Sequence, residues 1–459
     1  MQGIKEAQWI GLLQELRACK LLAQQSNHNP DVLDCHPLVR EHFGEKLKKD
    51  RPAAWREGHG RLYEYYKGVP EKEQPDMLEE MEPLFRAVYH GCAAGEPTKV
   101  WEEVYWERIC RGDEAFVNRQ LGAFGSDLGA VACFFEKIWD RPATRLSDAR
   151  KALVLSFAGF ALRGVGRVRE AAEPMEGSLQ RRMEQKNWKQ AAMDANNLSE
   201  LYLTLGGVEK AVEYGRRCVE YADKSGDKFL RMVSRTTLAD ALHQVGKIKE
   251  ARRLFEEAEG MQRKDQPGYR YLYSVQGYQY CDLLLAEGKT GEVKERATQT
   301  LQWAKEEGLS LLTVALDKLS LGRAWLEELR IENLEGKIKE KCLSEARRWL
   351  DEAVDGLRKA GTQHHVPRGL FGRAEYYRAA GEYRKARVDL EEARETAERG
   401  EMKLLLADYH LESGRVCINE GRKEDAKGHY EEARRLIEKC GYHRRDKELK
   451  ELAERFAGN

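Results

Sequence analysis

The 459-residue sequence has no uninterrupted run of 18 apolar residues and no net charge, with Lys+Arg and Asp+Glu both at 78. The first absence excludes a membrane-spanning helix. The second argues against a general grip on nucleic acid, which needs a basic excess to displace counterions, and leaves only a local basic patch open. Prolines number only 11, and long low-complexity tracts are missing. None of the ten cysteines forms a CxxC pair, so the usual zinc spacing is absent. Cys218 and Cys281 fall where a thiol acts as a small hydrophobe, which fits a reducing, cytoplasmic setting. The N-terminal stretch carries acids and a helical period rather than a signal-peptide core.

Catalytic signatures are missing as well. There is no GxSxG, and no cysteine is singled out by a neighbouring base. The one Gly-Lys-Thr, at Gly288-Lys289-Thr290, has Leu283 where a phosphate-binding loop needs its first glycine. It also follows a helical pattern rather than a strand. Paired acids such as Glu391-Glu392 have Arg or Lys three or four residues away and read as solvated helix faces, each pair worth roughly 0.2–0.5 kcal/mol. His90, Cys92 and Cys110 lack a second close pair, and His28, His36, His42 and His59 read as core or surface histidines. His364 and His365 precede Val366-Pro367 and read as a solvated helix start. No enzyme activity, metal or cofactor is expected.

What is present is a forty-residue beat. Gly166, Gly206 and Gly246 are evenly spaced, and Ala171, Ala211 and Ala251 each follow five residues later. The beat returns with Gly381 and Gly421, followed by Ala386 and Ala426. A glycine followed by a small residue at fixed offset marks a tight turn between two closely crossing helices. Repetition at this period predicts an all-α, right-handed solenoid of helical hairpins. Seven hairpins are expected over 148–445. The fifth carries about a dozen extra residues, IENLEGKIKEKC, as an excursion on one rim, and 446–459 supply a capping helix and tail.

The region before the beat reads differently. Residues 1–52 offer a helix with Trp9, Leu12 and Leu16, a turn cluster at Ser26 to Asp31, and a helix after Pro37, in the manner of a small winged-helix remnant. Residues 53–147 read as irregular helical hairpins, with one amphipathic helical segment over 127–139. Tyr269, Tyr271 and Tyr273 alternate like a strand, but Pro267-Gly268 points to a loop entering a helix.

The hairpins resemble tetratricopeptide repeats in a longer form, best seen in Ala239, Leu242, Gly246, Ala251, Phe255 and Ala258. A second resemblance rests on HPLVREHF at 36–43, MEPLFRAVYHGCAAG at 81–95, the segment at 121–139 and GYRYLYSVQGYQYCDLLL at 268–285. It is similar to the C-terminal half of bacterial STAND signalling NTPases, in which a repeat superhelix senses a ligand and an ATPase module responds. That resemblance implies a sensor or scaffold with a protein or peptide ligand, or a small inducer, and a STAND ATPase or effector module as a further partner. No nucleotide-binding residue carries over.

In such hairpins the first helix lines the concave side, at positions one and four past the small residue. This spacing selects Asp240, His243 and Gln244 in the third hairpin, Tyr278 and Asp282 in the fourth, and Arg323 with Glu327 in the fifth. It continues with Phe371, Glu375 and Arg378 in the sixth and Arg415 and Asn419 in the seventh. Aromatic anchors flanked by charged groups suit peptide recognition. The lysine–asparagine clamp for acidic C-termini is not reproduced.

Overall fold

The computed structural model describes residues 5–24, 33–332 and 335–457; the turn cluster at 26–31 with His28, residues 333–334 of the fifth-hairpin insertion and the last two residues lie outside them. Among the described residues, seven helical hairpins follow one another. The first pairs Asp148–Gly164 with Ala172–Glu184, the second Trp188–Leu205 with Val208–Ser225, and the third Lys228–Gln244 with Ile248–Asp265. The fourth pairs Ser274–Ala286 with Thr290–Glu306, and the fifth Leu311–Glu332 with Gly336–Lys359. The sixth pairs Val366–Ala379 with Tyr383–Arg399, the seventh Lys403–Asn419 with Lys423–Cys440, and Asp446–Ala457 closes the stack. The chain is an all-α tetratricopeptide-like solenoid, and no described helix is long and apolar enough to cross a membrane.

The turns explain the beat. Gly206 and Gly246 have φ of +83° and +86°, a left-handed conformation that costs an L side chain about 1–2 kcal/mol. At Gly206 the backbone closes two bonds, Gly206 N–H to the Leu203 carbonyl and Gly207 N–H to Tyr202, which satisfies the free carbonyls of the helix end. Ala211, Ala251, Ala386 and Ala426 are fully buried where the two helices cross. Gly246→Val is expected to cost about 2 kcal/mol, from left-handed strain plus crowding against His443, whose Cβ lies 3.3 Å from the new Cβ. Unchanged urea midpoint and helicity in this variant would contradict the turn.

The ribbon winds further than a succession of neighbour contacts requires. Gly206 lies against Lys403 and Cys440 of the seventh hairpin, and Gly246 against His443 beyond it. One apolar cluster joins Leu203, Val208 and Ala241 to Leu404, Leu411, Leu436, Ile437 and Tyr442. Gln363 N–H donates to the Gly164 carbonyl at 2.8 Å. The solenoid therefore closes on itself, first hairpins against last.

Closure overturns one expectation. His364 is buried rather than solvated, with its Nδ1 3.1 Å from the Arg163 carbonyl, and His365 is half-buried beside it. Burial, together with Arg163 and Arg368, holds the His364 imidazole well below its ordinary range, so it is neutral.

Two further differences have local causes. The helix over 127–139 stops at Ala132, and Phe135–Lys137 pairs antiparallel with Arg141–Pro142. Trp139 turns at φ +63°, and the Glu136 carboxylate accepts both the Thr144 N–H and hydroxyl. The excursion of the fifth hairpin takes helical form, since its Lys- and Glu-rich residues lengthen both helices, to 22 and 24 residues. Within 1–52 the described residues form Glu6–Ala18 and Pro37–Asp50, with no strand to act as a wing. Leu12, Leu38 and Phe43 of these helices remain exposed.

Tyr269 to Tyr273 form the expected loop into a helix, and Tyr280 stacks on Phe255 between hairpins. His90 contacts His59, Nδ1 to Nδ1 at 2.8 Å, rather than a cysteine. Asp317, on the first helix of hairpin five, is only 2% exposed. Thr300 Oγ1 donates to one of its oxygens at 2.9 Å, and the other has no partner among the described residues. Burial pushes this carboxyl up to about 8. The folded value lies above the unfolded one, so stability falls as pH rises from about 4 to 8. Asp317→Asn is expected to match the parent at pH 4 and exceed it at pH 8 in urea midpoint.

Candidate functional site

The first helices of the hairpins present their inner rows to one cavity of about 170 Å³ on the concave side. Seven carboxylates and six arginines line it, with Tyr278, Phe371 and Tyr442. Charged groups at this density survive burial only when paired, and the pairing is dense. Asp282 sits at its centre. Arg444 approaches it with both terminal nitrogens, one at 2.8 Å, and also donates to Gln244 at 3.2 Å. Arg323 reaches the same carboxylate at 2.8 Å. Burial alone would raise the Asp282 carboxyl, but Arg444 and Arg323 hold it well below the usual range.

The neighbours follow from this centre. Gln244 donates to Asp240 at 2.7 Å, and burial, opposed by Arg368, lifts the Asp240 carboxyl to about 6. His243 is fully buried behind the wall, with its Nδ1 4.0 Å from Asp282 and neither ring nitrogen hydrogen-bonded among the described residues. Burial and the nearby Arg444 push it down to about 3, so it is neutral. Arg445 donates to Asp408 at 2.8 Å and to Glu448 at 2.7 Å. Burial opposes ionisation of Glu448, but Arg445 prevails and brings it to about 2. The Arg368 guanidinium lies over the Tyr278 ring, 5.9 Å from its centroid.

Nine of the twelve residues selected by spacing line this cavity: Asp240, Gln244, Tyr278, Asp282, Arg323, Glu327, Phe371, Glu375 and Arg415. His243 lies behind it. Arg378 stands beside it, donating to Glu412 at 2.5 Å. Asn419 is exposed at the end of its helix and takes no part. The spacing rule missed Arg368, Asp408 and Glu412, which share helix faces with Phe371 and Arg415 at three- and seven-residue steps and were legible on that ground. It also missed Tyr442, Arg444 and Arg445. These follow the last hairpin in a short turn at His443–Arg445, where no periodicity marks them.

Cys281, next to Asp282, has its thiol pushed up to about 12 by burial and is a poor nucleophile. Among the described residues no group of three His, Cys, Asp or Glu is placed to hold a metal.

No curated protein matches the sequence. Among solved structures, the crystal structure of Rap protein complexed with competence and sporulation factor is similar at 12% identity and a TM-score of 0.36, covering 92% of this chain and 96% of that one. Residues 195–264, which span most of the second and third hairpins, match the tetratricopeptide repeat family.

Proposed function

We propose that the chain is a non-catalytic scaffold or sensor that binds a protein or peptide on the concave face of its superhelix. The observation that supports this most is the convergence of six hairpins and the C-terminal turn on one charged cavity around Asp282. A guest that engages Asp282 or Gln244 must compete with Arg444, which comes from 162 residues further along the chain. Occupancy would thereby be felt at the capping helix through Arg445 and Glu448, as a sensor requires. The finer reading, a ligand-sensing unit of a STAND-type system acting on an ATPase or effector module in the cytoplasm, rests on the sequence resemblance. The size and polarity of the cavity favour a second reading, a small polar inducer held in the same place.

Affinity capture with the full chain, beside the full chain carrying Glu375→Gln and Phe371→Ala, tests the first reading. A specific partner retained by the parent and lost by the variant is expected; recovery of the same proteins with both would sink it. A thermal-shift screen of small polar metabolites tests the second. A true ligand stabilises by RT ln(1+[L]/Kd), and the shift should vanish in the same variant.

A further inference from the structure

A second hollow lies among the first three hairpins and residues 106–119, and shares no lining residue with the Asp282 cavity. It has a volume of about 500 Å³, within the range of sites that take small ligands and short peptides. Phe157, Phe160, Met193, Phe229 and Val233 give it an apolar floor, and Phe229 stands 51% exposed at its rim. Arg182 lines the same hollow and is only 4% exposed. Its Nε has no hydrogen-bond partner, and among the described residues its guanidinium makes no ion pair. Asp194 is the acid whose charge acts on it, from beyond ion-pair distance, and that carboxylate accepts from Ser156 at 2.8 Å and from Ser178 at 2.6 Å. A buried guanidinium with no carboxylate in contact is costly, and a ligand carboxylate would complete it. The Arg119 guanidinium, also on the wall, donates to the Asp113 carbonyl at 3.4 Å and feels the charge of that residue's carboxylate.

We infer that this groove binds a short apolar peptide bearing a carboxylate, whose charge pairs with Arg182 while its side chains cover the aromatic floor. The amides of Gln190 and Asn197, set along the wall, suit the alternating donors and acceptors of a peptide backbone and favour a peptide over a fatty acid. The site is separate from the Asp282 cavity and does not depend on what that cavity binds.

The test uses the full chain against two random hexapeptide libraries, one with free C-terminal carboxylates and acidic residues, the other amidated and free of Asp and Glu. Retained peptides should come from the first library and be rich in Leu, Phe or Trp. Arg182→Gln should weaken the best of them by about tenfold or more, the scale of a charge-assisted bond. Phe229→Ala, at an exposed position that folding does not need, should weaken it as well. Glu375→Gln in the other cavity should leave it unchanged. The melting temperature should fall only slightly in Arg182→Gln, since Arg182 makes no contact ion pair and acts on buried Asp194 only from a distance. Equal retention from both libraries, or parental affinity in Arg182→Gln and Phe229→Ala, overturns the inference. So does the absence of any retained peptide, including the case in which decanoate binds in an Arg182-dependent way. A peptide weakened by Glu375→Gln alone would instead support the central cavity and refute this groove.

Discussion

Asp282→Ala is expected to lower stability by about 3–5 kcal/mol, the range for removing one partner of a buried ion pair. Arg444, whose side chain is 8% exposed, would keep only Gln244 as a partner, and Arg323 would lose its carboxylate. Two cations would then share a cavity wall without the charge between them. The folded-state carboxyl is held below its unfolded value, so its contribution is present above the ordinary carboxylate range and is lost only as pH falls through the depressed value. The difference between parent and variant should therefore be the same at pH 8 and pH 5 in urea titrations. Adding Arg444→Ala should recover part of the loss, because one of the stranded charges is removed as well. A single-variant loss below about 1 kcal/mol, the level of an exposed pair, would mean that the cavity is open enough for water to solvate both arginines.

Gly361→Ala is expected to cost about 4 kcal/mol, combining left-handed strain with an overpacked contact. Gly361 has φ +70°, and a Cβ built there would run into the carbonyl oxygen of Gly122. Backbone cannot rotate aside as a side chain can, so the strand of chain at 121–123 must separate from the junction of hairpins five and six. Gly381→Ala provides the comparison. Its φ is +77°, but no described residue lies within 4 Å of the added atom, so its cost should stay near 1 kcal/mol. Equal losses in the two variants would show that the contact with Gly122 contributes nothing. Faster amide exchange around residues 119–123 in Gly361→Ala alone would locate the damage.

The contrast between these two glycines shows what could be read in advance. Both belong to turns that follow a helix, and sequence spacing marks Gly381 clearly. Nothing near Gly361 hints that Gly122 is its neighbour, because the two are brought together by winding and not by any local rule. His364 makes the same point: its burial under the carbonyl of Arg163 comes from the first hairpin folding back on the loop between the fifth and sixth. The inner row of the cavity was legible through the three- and four-residue helical steps that place Asp240, Asp282, Arg323 and Phe371 on one side. That Arg444 fills the space between them was not. The N-terminal apolar residues Leu38 and Phe43 were readable as a helix face, while the structure leaves that face exposed.

The amino-acid sequence alone determined the helical hairpins, their number and the face each turns inward. Glycine, alanine and bulky apolar residues at fixed offsets act over one turn or one helix crossing, within reach of the local chain. Only the tertiary structure decided that the ribbon closes, that its hollow is charged and largely self-paired, and that Arg182 has no carboxylate in contact among the described residues. These depend on small rotations summed over seven hairpins, which bring residues some 160 to 200 positions apart into contact, as Arg444 with Asp282 and with Gln244.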